Sequence, residues 1–88
     1  MKAWQLVKKG WCQGHWSIDS KGNPAIGKPA VKFCAVEALL TVYHGNTEYI
    51  AARKRLEGVL GTSKLIYWND DPDRTQEEVV SVMKRADV

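Results

Sequence analysis

The spacing of hydrophobic residues along the chain predicts four helices. Apolar positions recur with the 3.6-residue period of an amphipathic helix over residues 2–10, 30–43, 48–60 and 75–86. The second segment, AVKFCAVEALLTVY, is apolar on nearly every side, which is typical of a buried helix. We therefore predict that it lies at the centre of the fold. The predicted inward positions, helix by helix, are Trp4, Val7 and Trp11; Val31, Cys34 or Ala35, Val36, Ala38, Leu39, Leu40, Val42 and Tyr43; Tyr49, Ala52, Leu56, Val59 and Leu60; and Val79, Val82, Met83 and Ala86.

The segments between these helices predict a small β element. Residues 11–29 contain three glycines and two prolines, and Lys21-Gly22-Asn23-Pro24 is a turn signal. Residues 15–19 and 25–26 flank that turn, so we expect them to pair as a short hairpin. The apolar run KLIYW, residues 64–68, is expected to be a short extended segment.

Small and polar residues mark the predicted helix ends. Gly45 is expected to adopt a left-handed conformation and end the central helix. Asn46 or Thr47 is expected to cap the third helix, because short polar side chains accept hydrogen bonds from the first free amides. Gly61 is expected to end that helix.

The length and composition fit one small domain. The 88 residues are 44% hydrophobic and include four tryptophans, enough for a core without metal or disulfide. We predict a mainly α (α+β) fold: a compact single domain, residues 1–88, of about four helices around helix 30–43 with a minor β-hairpin near 15–26. No apolar run has the length of a signal peptide or membrane span. We therefore expect a cytoplasmic protein with reduced cysteines and no membrane association.

The chain is mildly basic, and its charge is unevenly distributed. The formal net charge is +3; residues 1–44 carry six lysines and two acids, whereas residues 45–88 carry seven basic and eight acidic residues. Basic residues near Trp16 would suit a nucleic-acid partner. The small net charge, the acids of the second half and the lack of a clear helix-turn-helix pattern favour a solvated surface instead. The basic candidates are Lys8, Lys9, Lys28, Lys32, Arg53, Lys54 and Arg55.

Two cysteines and two histidines give the ligand count of a zinc site: Cys12, His15, Cys34 and His44. Cys34 and His44 are ten residues apart on the predicted central helix, about 15 Å of rise, so no metal site is expected. Cys34 with His15 is a candidate nucleophile pair, but burial in an apolar helix raises the pKa of a thiol and makes it inert. Cys12 is the better candidate thiol, and no cofactor is expected.

The stretch YWNDDPDRT, residues 67–75, gathers two aromatic and three acidic side chains. Asn69, Asp71 and Asp73 match positions one, three and five of an EF-hand calcium loop. Arg74 replaces the glycine of position six, and position twelve is valine, so the loop pattern fails. A magnesium site needs only one or two carboxylates and stays open, although nothing in the sequence indicates a bound phosphate.

A helix start explains the same stretch with local interactions. Thr75 and Glu78 match a capping box, and Asp71-Pro72 offers a second possible start. Asn69 or Asp70 is expected to tighten the turn by bonding its own backbone two residues on. We favour this structural interpretation, leaving open whether these two residues form the turn or the polar floor of a pocket.

Several motifs occur in the order that one protein family shows. These are GWCQG (10–14), a D-x-K-G-N-P turn, FCAVEAL (33–39) and YWNDDPDRTQEEVVSVMKRA (67–86). The chain resembles a family of small bacterial and phage-encoded proteins classed as a domain of unknown function. Its members carry a Gly-Trp-x-Gln-Gly start, an aromatic-Cys-x-x-Gly-Ala-Leu helix and a Trp/Phe-Asn-Asp…Arg-Thr segment before the last helix. Glu37 stands where the family has glycine. The resemblance implies a phage or mobile-element origin and does not imply a particular activity.

The small size and the absence of a persuasive catalytic set favour a non-catalytic protein-binding module. The resemblance suggests a phage-encoded accessory or anti-defence protein that blocks a host protein in the host cytoplasm. Its expected contact residues are Trp16, Arg53, Arg55, Tyr67 and Asp71. The alternative is an enzyme or small-ligand domain whose pocket is formed by Gln13, His15, Cys34, Glu37, Trp68, Asn69, Asp70 and Arg74. A nucleic-acid binder is the third hypothesis.

Overall fold

Five helices and a two-stranded antiparallel sheet make up the computed structural model, which describes residues 1–88. The chain is 51% helical, so the predicted mainly α fold with a minor β element is confirmed. None of the helices combines the length and apolarity that a membrane crossing requires. The elements are α1 (Ala3–Lys9), β1 (Ser17–Ile18), β2 (Lys32–Phe33), α2 (Ala35–Val42), α3 (Asn46–Leu60), α4 (Leu65–Asn69) and α5 (Gln76–Arg85).

The core lies where α2 packs against α1, α3 and α4, and where α5 packs against α1 and α3. Its largest fully buried side chains include Leu39, Leu56, Leu65 and Met83, one from each of four helices. Full burial of one such side chain stabilises the fold by about 2 kcal/mol. The predicted inward positions Leu40 and Val59 are exceptions, since they are 43% and 40% exposed. Val82 is only partly buried at the edge of the core.

The central helix α2 begins at Ala35 rather than at residue 30. The five preceding residues are extended or irregular, and Lys32–Phe33 forms strand β2. A short apolar run with β-branched and aromatic residues suits a strand as well as a helix, so periodicity alone could not separate the two. Val31 is therefore 45% exposed instead of lying in the core. Cys34 is the N-cap of α2 rather than an interior helical residue.

The prediction that residues 64–68 are extended is wrong, because Leu65–Asn69 forms the short helix α4. Leu65 and Asn69 are one helical turn apart and are both buried, whereas Ile66 and Tyr67 between them are exposed. That burial pattern follows the helical i, i+4 spacing and not the alternation of a strand. A five-residue run is too short for this period to be distinct in sequence.

The β element is built around strand β1, which has partners on both sides. Its ladder pairs Ser17 with Phe33 and Ile18 with Lys32. On its other side, Ile18 forms an isolated bridge with Pro24. The predicted hairpin near 15–26 therefore captures one neighbour of β1, but the main ladder is with a later segment. A parallel bridge from Phe33 to Trp11 adds the segment after α1.

Two of the predicted helix ends are confirmed, and two are wrong. Gly61 ends α3 in the left-handed conformation with φ 72°, and Thr75 caps α5. Gly45 is extended, with φ −90°, and is itself the N-cap of α3. Asn46 and Thr47 are the first helical residues of α3, so neither is its cap.

Candidate functional site

Asn69, at the end of α4, is the most connected polar side chain in the structure. It is 1% exposed. Its Oδ1 accepts hydrogen bonds from Trp11 Nε1 at 2.9 Å and from the Ala35 amide at 3.0 Å. Its Nδ2 donates to the Cys12 carbonyl at 3.1 Å and to Asp70 Oδ1 at 2.9 Å. All four hydrogen-bonding positions of the carboxamide are therefore filled, as a buried amide requires.

The segment Gly10–Gly14 docks on the C-terminal end of α4. Gln13 Nε2 donates to the Asn69 carbonyl at 2.9 Å and to the Asp71 carbonyl at 2.8 Å. The Gly14 amide donates to Asp70 Oδ1 at 3.1 Å. Carbonyls at the end of a helix lack partners within the helix, and Gln13 supplies a donor for one of them. The GWCQG and WND motifs thus form one contact, which we call the Asn69 hub: Trp11, Cys12, Gln13, Ala35, Asn69 and Asp70.

These hydrogen bonds show whether Asn69 or Asp70 tightens the turn as predicted. Neither Asn69 nor Asp70 bonds its own backbone two residues on. Asp71 makes that contact instead, since its Oδ1 accepts from the Asp73 amide at 2.9 Å. The capping box is present as predicted: Thr75 Oγ1 accepts from the Glu78 amide at 3.2 Å, and Glu78 Oε1 accepts from the Thr75 amide at 3.1 Å.

Arg74 holds the loop between α4 and α5 against Trp68. Its guanidinium carbon lies 4.5 Å from the centroid of the Trp68 ring, and its Nε donates to the Trp68 carbonyl at 3.0 Å. Its terminal nitrogens face Glu78 at 3.4 Å and Asp71 at 3.8 Å. The planar guanidinium can stack and donate at once, which a lysine in its place could not do.

A surface cleft of about 600 Å³ lies beside the Asn69 hub. Three large apolar side chains line it: Trp16 before β1, Ile26 between β1 and β2, and Ile66 on α4. They are 48%, 69% and 43% exposed. The polar and sulfur-bearing lining comes from His15, Ser17, Cys34, Asn69 and Asp70.

The matching family model covers residues 3–87, from the start of α1 to the end of the chain's last turn, and describes a family of unknown function, DUF6197. The chain is a member of the DUF6197 family. The predicted resemblance to a domain of unknown function is therefore confirmed. No curated protein and no solved structure is detectably similar to it.

In this DUF6197 domain, both thiols are held in their protonated form. Burial is the main cause that raises the pKa of Cys12 to about 11, and the nearby Cys34 and Asp70 add to it. Burial also raises the pKa of Cys34, although the amides of Glu37 and Val36 act in the opposite direction. A protonated thiol is a poor nucleophile, so neither cysteine is activated for catalysis at neutral pH.

The predicted pocket residues divide between two places. His15, Cys34, Asn69 and Asp70 line the cleft, and Gln13 lies against Asn69. Trp68 and Arg74 line a separate shallow groove next to α5. Glu37 belongs to neither; its partial burial raises the pKa of its carboxyl group. No group of three or more His, Cys, Asp and Glu side chains is arranged to hold a metal ion.

The predicted contact residues also differ in their surroundings. Trp16 lines the cleft, and Tyr67, 78% exposed, follows Ile66 on α4. Arg53 bonds Glu57 Oε2 at 3.0 Å and the Tyr49 hydroxyl at 2.9 Å. Arg55 donates to the carbonyls of residues 86 and 87 at 3.3 and 3.2 Å. Arg55 thus links α3 to the residues that follow α5, whereas these two contacts of Arg53 lie within α3. Asp71 accepts from the Asp73 amide and faces Arg74 in the loop between α4 and α5.

Ile26 and Ile66 are the large apolar residues among the cleft residues that the sequence interpretation does not select. Ile26 follows the predicted turn in a segment rich in glycine and proline, where an isolated large apolar side chain has no core to enter. That mismatch between residue and surroundings is a usable signal for a contact surface. Ile66 gives no such signal, because it stands in the apolar run KLIYW, which the sequence predicts to be extended.

Proposed function

We propose that this DUF6197 protein is a non-catalytic binding module that holds a segment of another protein in the cleft. The observation that carries the proposal is the convergence of Trp16, Ile26 and Ile66 on one cleft while each remains 43% or more exposed. Exposed apolar side chains that meet in one concave patch are typical of interaction sites. Tryptophan in particular contributes strongly at the centre of protein interfaces.

The position of the cleft on the Asn69 hub supports the same function. Asn69 and Asp70 form part of its lining, and their side chains are fixed by hydrogen bonds to Cys12 and Gly14. A binding surface that is already ordered loses less conformational entropy when its partner arrives. The polar part of the cleft is therefore ordered before a partner binds.

A small-molecule ligand is the second candidate, and the size of the cleft favours it. About 600 Å³ lies within the range of small-ligand pockets, which are mostly apolar with a few polar groups. Enzymatic use of the cleft has less support, because both thiols are protonated. Nucleic acid also has less support, since no lysine or arginine lines the cleft and Arg53 and Arg55 bond within the fold.

The narrower form of the proposal is a phage-encoded accessory or anti-defence protein that blocks a host protein in the host cytoplasm. It rests on the motif resemblance, together with the small size of the chain. The cleft supplies the surface through which such a protein would bind its target.

The test places a photoreactive amino acid at Ile26 and, as a matched control, at Val59. Val59 is also exposed, at 40%, but does not line the cleft. We expect a single protein to cross-link from position 26 and not from position 59. The purified partner should then bind Trp16→Ala at least tenfold more weakly than the wild type. Equal cross-linking from both positions, or unchanged binding by Trp16→Ala, would contradict the proposal.

Trp16→Ala is suited to this test because the structural contacts of Trp16 are made by its backbone. Its carbonyl accepts from the Cys34 amide at 2.8 Å and from Cys12 Sγ at 3.9 Å. The substitution keeps both contacts and removes only the half-exposed indole. A loss of binding is then attributable to the cleft surface.

A further inference from the structure

The carboxylate of Asp70 is the one acidic group in the cleft, and only one of its oxygens has a partner. Oδ1 accepts from the Gly14 amide at 3.1 Å and from Asn69 Nδ2 at 2.9 Å. Oδ2 has no hydrogen bond, and no lysine or arginine forms an ion pair with Asp70. The fixed oxygen orients the carboxylate, and the other oxygen is left free to bind a positively charged group.

Trp16 supplies a second feature that favours a cation in the same cleft. An indole face attracts a lysine or arginine positioned within about 6 Å of it. Two other tryptophans of this chain are used in this way: Arg74 lies 4.5 Å from the Trp68 ring, and Lys84 lies 4.4 Å from the Trp4 ring. Trp16 is half-exposed and has no such partner within the chain.

We propose that the cleft recognises an arginine side chain of a partner peptide, with the guanidinium between Asp70 Oδ2 and the face of Trp16. This inference rests on the proposed protein-binding function. Charge complementarity selects a basic group, and guanidinium is favoured over ammonium because it stacks on an aromatic ring while donating in its own plane. An apolar residue next to the arginine would contact Ile26 and Ile66.

The contact of Arg74 with Trp68 is an example, within this protein, of the kind of contact proposed for the cleft. There, one guanidinium stacks on an indole while its nitrogens face the carboxylates of Asp71 and Glu78. The cleft presents the same two partners, an indole and a carboxylate, without the arginine. The partner peptide would supply the guanidinium.

The experiment selects binders from a random peptide library, using immobilised wild-type protein and counter-selecting against Trp16→Ala. We expect the selected peptides to share an arginine flanked by an apolar residue. The best peptide is then synthesised with arginine and with citrulline, which has a similar shape and no charge. Its affinity is measured for the wild type, Asp70→Asn and Asp73→Asn.

Asp70→Asn keeps an oxygen able to accept from Gly14 and Asn69 while removing the charge. Asp73→Asn is the matched control, because Asp73 is exposed and lies outside the cleft. We expect the arginine peptide to bind Asp70→Asn about tenfold more weakly and Asp73→Asn without change. The citrulline peptide should bind the wild type about tenfold more weakly and should no longer distinguish Asp70→Asn.

The outcomes separate the two proposals. Selected peptides that depend on Trp16 but lack arginine would overturn the arginine inference and leave the protein-binding function standing. An arginine peptide whose affinity is the same for Asp70→Asn and the wild type would also overturn the inference. A library that yields no Trp16-dependent peptide would count against both.

Discussion

The indole nitrogen of Trp11 donates to the side-chain oxygen of Asn69 at 2.9 Å, joining residues 58 positions apart in the chain. This bond ties the segment after α1 to the end of α4. The same oxygen also accepts from the first amide of α2. One buried side chain therefore sets the relative positions of three parts of the fold and of the cleft beside them.

Asn69→Ala should be strongly destabilising. The substitution leaves the Trp11 indole nitrogen, the Ala35 amide and the Cys12 carbonyl without partners, and each unsatisfied buried group costs about 1 to 3 kcal/mol. We expect a loss of roughly 3 kcal/mol in urea unfolding. Asn46→Ala, at an exposed asparagine of α3, should change stability by less than about 0.5 kcal/mol. If Asn69→Ala lost no more stability than Asn46→Ala, the structural role of Asn69 in the hub would be contradicted.

Arg74→Lys should destabilise the protein although it conserves charge. Lysine cannot stack a planar group on Trp68 and donate to the Trp68 carbonyl at the same time. We expect a loss of about 1 kcal/mol, measured by thermal or urea unfolding. Arg85→Lys, at an exposed position on α5, is the control and should behave as the wild type. Equal stability of the two variants would show that Arg74 acts through its charge alone.

Thr75→Ala should cost about 1 kcal/mol through loss of the capping box of α5. Thr75→Ser keeps the hydroxyl and should retain most of that stability. Thr47→Ala is the matched control, because Thr47 is exposed in the first turn of α3 and is not its cap. If Thr75→Ser and Thr75→Ala were equally destabilised in urea unfolding, the hydroxyl would not be the stabilising group.

The Cys12 thiol should make stability fall at alkaline pH. Its pKa is raised to about 11 from an ordinary value of 9.0, so the folded state holds the proton more tightly than the unfolded state. This contribution is fully present below about pH 9 and is lost as the pH rises through 11. The difference in unfolding free energy between the wild type and Cys12→Ser should therefore change by roughly 2 kcal/mol between pH 8 and 11. A pH-independent difference would mean that the thiol titrates normally.

Local features of the fold were predictable from sequence because the residues that form them lie close together in the chain. The capping box links Thr75 and Glu78, three residues apart, so both partners are visible in one short window. The left-handed Gly61 follows from the amino-acid type and its place after a periodic segment. The core positions Leu39, Leu56 and Val79 follow from helical periodicity.

The errors fall where the sequence allows two local structures. Residues 30–34 are apolar enough for a helix, but Lys32–Phe33 pairs with β1, and Cys34 caps α2. Residues 64–68 contain too few residues to distinguish a strand from the single turn of α4. In both cases the pairing partner or the neighbouring core, not local propensity, decides the outcome.

The candidate site was predictable in its residues but not in its arrangement. Sequence motifs single out Asn69 and Asp70, yet apart from the bond between the two, the partners of these side chains lie 34 to 58 positions away. No local rule indicates that Gln13 donates to the carbonyls of Asn69 and Asp71. The cleft lies beside these long-range contacts, whereas Arg74 is directed to the other side by its contacts with Trp68 and Glu78.

The hydrogen bond from the Ala35 amide to Asn69 affects how the protein unfolds locally. Amides in the first turn of a helix usually exchange with solvent quickly, because they lack partners within the helix. Here, the start of α2 is held by a side chain of α4, and that side chain is held in turn by Trp11 and Cys12. We therefore expect the first turn of α2, the segment Gly10–Gly14 and α4 to unfold as one cooperative unit, so that their amides exchange at similar rates in a hydrogen-exchange measurement.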